Sequence, residues 1–339
     1  MHVLKRFPEE PRDPSIEKTR QAGTSATKGG SAKARFAPAP FILAVAALLA
    51  AAPAAAQDVT PPGFRLAPLA DVTPATPAKQ LFGRKAAPAA LGLGSIGFYA
   101  RGCLADGVRL PITGPTWQVM RLSRNRNWGN PAIVAFLKRL ANRVPQVAGV
   151  RGLLVGDMAQ PRGGPMITGH ASHQIGLDAD IWYRPMPDHV LSAQERETMS
   201  AIVMVRSDRL DVNDSWKPSN MAVVEAAAED PAVERIFVNP AVKKAMCRDA
   251  TGDRSWLAKV RPMYGHDYHF HVRLLCPKGS RLCTPQVPPP PGEGCGKELD
   301  YWFSDAVLHP KPPTKPPPPP HQITMSELPA ACRQVLAVP

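Results

Sequence analysis

No C-x-x-C pair occurs anywhere in the chain, which argues against a cysteine metal site, whose ligands come in closely spaced pairs. Beyond residue 56 there is no S-x-x-K or G-x-S-x-G; the two S-x-x-K matches, SIEK and SATK, lie near the start. A serine nucleophile therefore has no motif to stand on. Internal repeats and nucleic-acid motifs are also missing. The longest apolar run, FILAVAALLAAAPAAA over residues 41–56, is short and alanine-rich against the roughly 20 residues of a bilayer span. It argues against a permanent membrane span.

That run makes better sense as part of an export signal. Lys33 and Arg35 precede it and Ala54 to Ala56 close it with small residues, as a cleavage site requires. Residues 1–56 are expected to be a signal segment that sends the chain to the periplasm. All six cysteines lie in the remainder: Cys103, Cys247, Cys276, Cys283, Cys295 and Cys332. An even number in an oxidising compartment predicts three disulfides, with 15 pairings open. The net charge of +13 falls to +9 without the leader, from 33 basic against 24 acidic residues. Such a protein is drawn to anionic polymers, which outside the cytoplasm means cell wall and lipid headgroups rather than nucleic acid. Plain solvated surface charge is the alternative.

The 40 prolines cluster at 60–77, 285–291 and 310–320, stretches that read as linkers or extended rims. The expected organisation is a Pro-rich leader over 57–88 and a single domain over 89–339 that includes the spacer 310–320 and a tail. Ile133, Phe136, Leu137 and Leu140 recur at helical spacing and predict a helix over 128–144; a second is expected over 221–233. Strands are expected over 149–155, 176–183 and 268–275. The mixed order implies an α+β domain, with a small central antiparallel sheet, flanking helices and a metal cleft on the sheet.

The metal enters through two stretches, TGHASHQIGLDADIW (168–182) and YGHDYHFHVRLLC (264–276). On a strand, His269, His271 and Arg273 share one face while Phe270, Val272 and Leu274 share the other. The same alternation turns Leu177, Ala179 and Ile181 inward and Asp178 and Asp180 outward. Two adjacent strands then present imidazoles and carboxylates to one another, and His170 and His173 arrive from the preceding turn. Two imidazoles and a carboxylate are the ligands of a catalytic zinc, which lowers the pKa of its water to about 7. A lone histidine is more often a satisfied core or surface residue; H-x-H beside H-x6-D reverses that preference. The pattern does not choose between Asp178 and Asp180.

PRGGPMITGHASHQIGLDADIW, FVNPAVKKAMC, and KVRP followed by HDYHFHVRLLCP resemble the penicillin-insensitive murein endopeptidases of Gram-negative bacteria, which share a metal-site plan with lysostaphin-type and D-alanyl-D-alanine peptidases. The resemblance runs from about Ala89 to Cys332. It implies zinc ligands His173, Asp180 and His271, with His269 as general base or oxyanion stabiliser and His266 assisting. No glutamate base stands in this stretch, so a histidine takes that role, and Asp178 becomes an outer residue that holds a ligand's N–H. A second metal position is implied at His170 with Asp208 and Asp211, where an aspartate and a histidine are the family's pattern. The implied disulfides are Cys103–Cys332, Cys247–Cys295 and Cys276–Cys283. The implied substrate is cross-linked peptidoglycan, cut between D-alanine and meso-diaminopimelate of two stem peptides. Arg162, Arg184 and Arg273 are candidates to grip a stem carboxylate in bidentate fashion, each with a structural role as the alternative. Trimming of stem ends by a D,D-carboxypeptidase or dipeptidase, and wall binding without catalysis, are the rival functions.

Overall fold

The computed structural model describes residues 73–313, 316 and 318–339. The expected signal segment, the leader up to residue 72, and residues 314, 315 and 317 of the spacer lie outside the described residues. Among the described residues, no helix is long and apolar enough to cross a membrane.

The α+β architecture is borne out. Its centre is a six-stranded sheet made of Trp117–Val119 (β1), Leu153–Val155 (β2), Asp178–Trp182 (β3), Val233–Val238 (β4), Val260–Pro262 (β5) and His269–Leu274 (β6). The order across the sheet is β1-β2-β3-β6-β4-β5. The four central strands pair antiparallel and the two outer pairs, β1-β2 and β4-β5, are parallel. The sheet is thus mixed, larger than expected, and antiparallel where the histidines lie.

Leu177, Ala179, Ile181, Phe270, Val272 and Leu274 all lie in the main core and are fully or almost fully buried. The helix Pro131–Val147 covers that core with Ile133, Phe136, Leu137, Leu140 and Val144. It begins three residues later than expected. Trp128 and Gly129 pair instead with Val108 and Arg109, and Asn130 caps the helix by accepting the Ala132 N–H, with Pro131 in its first turn. The Asn130 N–H donates to Gly176 O at 2.8 Å, which ties the start of the helix to the turn before β3. The second helix spans Pro218–Ala228 rather than 221–233, because Val233 opens β4. Periodicity reads the apolar face of a helix but not the point where strand geometry takes over.

A smaller core gathers Ala78, Phe82, Ala89, Ile96, Cys103, Leu328, Cys332 and Val335. Phe82 is buried in a five-residue helix, Ala78–Phe82, so packing begins ahead of residue 89, where sequence places the start of the domain. One short turn carries no readable period. The disulfides are Cys103–Cys332, Cys247–Cys295 and Cys276–Cys283, the pairing that the family resemblance implies. The first ties the tail to the hairpin Ser95–Leu104. A second tie is Arg162. Its buried guanidinium donates to Ala87 O, Val335 O, Leu336 O, Val338 O and Pro339 O. Of the two roles open to it, substrate contact or structure, this bonding supports structure: among the described residues its hydrogen bonds go to backbone carbonyls of the leader and tail.

Removing that guanidinium strands several carbonyls, each costing about 1–3 kcal/mol if it stays buried and unpaired. Arg162→Ala is expected to lower stability by about 2–4 kcal/mol and to expose the tail to limited proteolysis with Cys103–Cys332 still bonded. A protease-resistant tail with an unchanged denaturation midpoint would contradict the clamp.

Candidate metal centre

Backbone register places the chemistry. Across β3 and β6, Asp178 stands opposite Arg273, Asp180 opposite His271 and Trp182 opposite His269, so alternation sets Asp178, Asp180, His269, His271 and Arg273 on one face. His173 comes from the loop before β3 in a left-handed conformation, φ 63°, which non-glycine residues adopt at a cost. Asp178 offsets part of it, since its Oδ2 accepts the His173 N–H at 3.0 Å. Gly176, at φ 71°, closes the loop where a Cβ would lie 2.7 Å from Leu104 and 2.8 Å from Asn130 N.

Outward-pointing strand residues are ordinarily exposed, and these are not. Asp178 is 0% and Asp180 4% accessible, and His173, His266, His269 and His271 are all buried. The loop carrying His170 and His173 and the segment carrying His266 fold over this face. Ring centroids lie 4.3 Å apart for His170–His173, 4.5 Å for His173–His271 and 5.1 Å for His266–His269.

Asp180 is the hub. Its Oδ1 stands 3.4 Å from His173 Nε2, 3.4 Å from His271 Nδ1 and 3.6 Å from His269 Nε2, and its Oδ2 stands 3.5 Å from His170 Nδ1. These contacts are longer than the 2.7–3.2 Å of an N–H···O bond; among the described residues Oδ1 accepts no hydrogen bond of normal geometry, and neither ring nitrogen of His173 makes one. Burial alone would raise the Asp180 pKa, but His269, His173 and His170 hold it well below the usual carboxylate range.

The proton on His271 can be located. Burial, aided by His173, lowers its pKa to about 4, so the ring is neutral at pH 7. Its Nε2 lies 2.9 Å from Asp178 Oδ1. Asp178 is ionised: burial would raise its pKa, but Arg273 and His271 hold it below the usual range. An ionised carboxylate only accepts, so the His271 proton sits on Nε2. Nδ1 therefore turns a lone pair toward Asp180 Oδ1, another acceptor. Two buried acceptors 3.4 Å apart with no proton between them are unfavourable unless a cation joins them. A tetrahedral zinc, with bonds of about 2.0–2.1 Å, needs its donors about 3.3–3.4 Å apart. His173 Nε2 and His271 Nδ1 each stand 3.4 Å from Asp180 Oδ1, the spacing such an ion needs between donors. Donor atoms of His170, His173 and Asp180 also lie within 4.8 Å of one another.

Asp208 and Asp211 are not part of the close group of His170, His173 and Asp180. Asp208 accepts from Arg206 and from the Leu210 N–H, and Asp211 from Arg248 at 2.9 Å. The group around His170 is His173 and Asp180, and His170 Nε2 bonds Asp157 Oδ2 at 2.9 Å.

Over residues 95–337 the chain matches the family model described as penicillin-insensitive murein endopeptidase. Proteins of that name from Klebsiella pneumoniae subsp. pneumoniae, Haemophilus influenzae and Escherichia coli are 44%, 43% and 43% identical to it over 243, 244 and 242 residues. Those matches span 71%, 72% and 71% of this chain and 85%, 82% and 85% of the relatives. The chain belongs to this family. Its membership covers the sheet, the cluster and the tail alike.

The other two candidate arginines are also occupied. Arg273 donates to Asp178 at 2.7 Å and to Gln286, with its guanidinium 4.2 Å from the Tyr99 ring centroid. Arg184 donates to Ser200 O and lines a depression of about 290 Å³ with Tyr183, Asn220 and Phe270; none of the clustered histidines or aspartates lines it. Sequence reasoning missed Asp157, Arg126 and Arg124. An aspartate just past an apolar strand has no spacing signal, and its partners are remote in sequence.

Asp178 contributes stability that is present above its unfolded pKa of about 3.9 and is lost as pH falls through its lower folded value. Asp178→Asn is expected to lower the melting temperature of metal-free protein at pH 7, with the gap to wild type closing progressively below pH 4. A gap that stays constant with pH would show that Asp178 acts by packing alone.

Proposed function

We propose that the protein is a zinc-dependent peptidase of the periplasm that hydrolyses peptidoglycan cross-links between D-alanine and meso-diaminopimelate. The observation that carries this reading is the buried cluster in which His173 Nε2 and His271 Nδ1 each stand 3.4 Å from Asp180 Oδ1. His173, Asp180 and His271 would hold the zinc, and Asp178 keeps the His271 proton on the far nitrogen, so the near one would be available as a ligand. Zinc held there supplies Lewis acidity and makes hydroxide available near neutral pH.

His269, 3.6 Å from Asp180 Oδ1 and against the Tyr268 ring, takes the proton released in the attack and passes it to the departing amine. His266 supports it from 5.1 Å: its Nδ1 pairs with Tyr264 O at 3.2 Å, which leaves Nε2 as the reactive nitrogen. Stem peptides carry free carboxylates, and Arg124, 27% exposed and bonded to Asp157 at 3.1 Å, offers a guanidinium at the rim of the cluster. β-Lactams do not acylate such a site, which uses no serine.

Purified protein incubated with cross-linked sacculi should release monomers from dimeric muropeptides, read by chromatography, and a chelator should stop it. Trimmed monomers with intact dimers would move the assignment to a carboxypeptidase, and no product at all to a wall-binding module. Alanine at His173, Asp180 or His271 is expected to remove bound zinc and activity together; one equivalent of zinc retained in a folded variant rejects that residue as a ligand. His269→Ala should keep its zinc and lose about 10²- to 10⁴-fold in rate. Near wild-type cleavage of dimers by that variant would assign the proton transfer to another residue.

A further inference from the structure

Two carboxylate–histidine pairs converge on Asp180. Asp178 Oδ1 pairs with His271 Nε2 at 2.9 Å, and Asp157 Oδ2 pairs with His170 Nε2 at 2.9 Å. Each arrangement turns Nδ1 of its ring toward one oxygen of Asp180, His271 to Oδ1 at 3.4 Å and His170 to Oδ2 at 3.5 Å. Arginine anchors each outer carboxylate, Arg273 on Asp178 at 2.7 Å and Arg126 on Asp157 at 2.8 Å. The second pair repeats the construction of the first.

Asp157 is tied to the centre by main chain as well. Its carbonyl accepts the Asp180 N–H at 2.9 Å, and the Gly156 N–H donates to Asp180 O at 2.9 Å. Arg126, itself buried, reaches onward to Thr168 O at 2.9 Å and Thr168 Oγ1 at 3.2 Å, two residues before His170. One buried aspartate therefore holds the backbone of one proposed ligand and the ring of a neighbouring histidine. Charge balance is already met by Arg126 and Arg124. The bond to His170 adds orientation: an ionised carboxylate accepts from Nε2–H, and in the neutral ring Nδ1 then carries the lone pair.

We propose that Asp157 is a positioning residue that presents His170 Nδ1 as a further donor to the metal centre, beside Asp180 Oδ2. This inference rests on the metal-centre reading above. Asp157 does for His170 what Asp178 does for His271, and removing such outer carboxylates typically costs 10- to 100-fold in metal affinity.

The test uses the full chain, stripped of metal, and does not depend on activity. Zinc affinity is measured by competition with a chromophoric chelator, and cobalt(II) binding by its visible spectrum, for wild type, Asp157→Asn, His170→Ala and the double variant. Asp157→Asn should bind zinc about 10- to 100-fold more weakly and shift the cobalt bands in the direction His170→Ala shifts them. The double variant should bind no more weakly than His170→Ala alone, because Asp157 acts through that ring. Unchanged affinity and spectrum in Asp157→Asn, or losses that multiply in the double variant, would overturn the proposal. Should Asp157→Asn not fold, His170→Ala decides alone, since it leaves the Arg126–Asp157 pair intact: a wild-type cobalt spectrum in that variant rejects the proposal. Loss of metal in His173→Ala with no effect in either new variant would sink this inference and leave the metal centre standing, whereas wild type that binds no metal removes both.

Discussion

Asp180 carries a buried negative charge with no arginine or lysine within salt-bridge distance among the described residues. Its partners among the described residues are histidines: His173, His269 and His271 around Oδ1 and His170 at Oδ2. A carboxylate moved out of water without a strong partner costs several kcal/mol, and the neutral His271 ring turning a lone pair toward it adds to that cost. Such a cluster is stable when a cation completes it. Much of the local structure follows from keeping that arrangement in place: the strained backbone at His173, the close turn at Gly176, and the loop that folds over the sheet.

The division of labour among the carboxylates follows from their partners. Asp178 has Arg273 and Asp157 has Arg126 and Arg124, so each is charge-balanced by fixed guanidinium groups and is free to orient a histidine. Among the described residues Asp180 has no arginine within salt-bridge distance, and in the proposed reading it is left to attract an ion. Sequence pattern alone does not make this distinction, because Asp178 and Asp180 share a strand face and differ by two residues. The difference is set by what stands opposite: Arg273 faces Asp178 across the ladder, and His271 faces Asp180.

Alternation in two short strands was legible in sequence because a period of two needs only five or six residues to declare itself. The helical face Ile133, Phe136, Leu137 and Leu140 was legible for the same reason at a longer period. Burial was not legible, since polar residues outward on a strand imply solvent and the covering loops act at long range. Phe82 was hidden by proline-rich surroundings, and Asp157 by having partners 13 and 31 residues away. Arg162 illustrates the converse: a cation near a motif invites a substrate, and of its two open roles the structural one is supported by the tail carbonyls that it binds. A cation next to a motif has an unambiguous role only once its hydrogen-bond partners are known.

The construction carries one mechanical risk, and the periphery of the fold answers it. A one-residue slip of β6 against β3 would send His269 and His271 into the apolar core and bring Phe270 and Val272 to the metal face. β6 meets β4 with an irregularity between Arg273 and Leu274, and such features pin register. Tyr99 OH donates to Leu274 O at 2.6 Å, and the Tyr99 ring packs against the Arg273 guanidinium. Two residues beyond the strand, Cys276 is bonded to Cys283, whose neighbourhood bridges Gly97 in the same hairpin that carries Cys103. The short disulfide closes a seven-residue separation and adds about 2–3 kcal/mol in the loop-entropy picture. Its larger effect is positional: it holds the end of β6 where Arg273 meets Asp178, and hence the ring of His271 where Asp180 faces it.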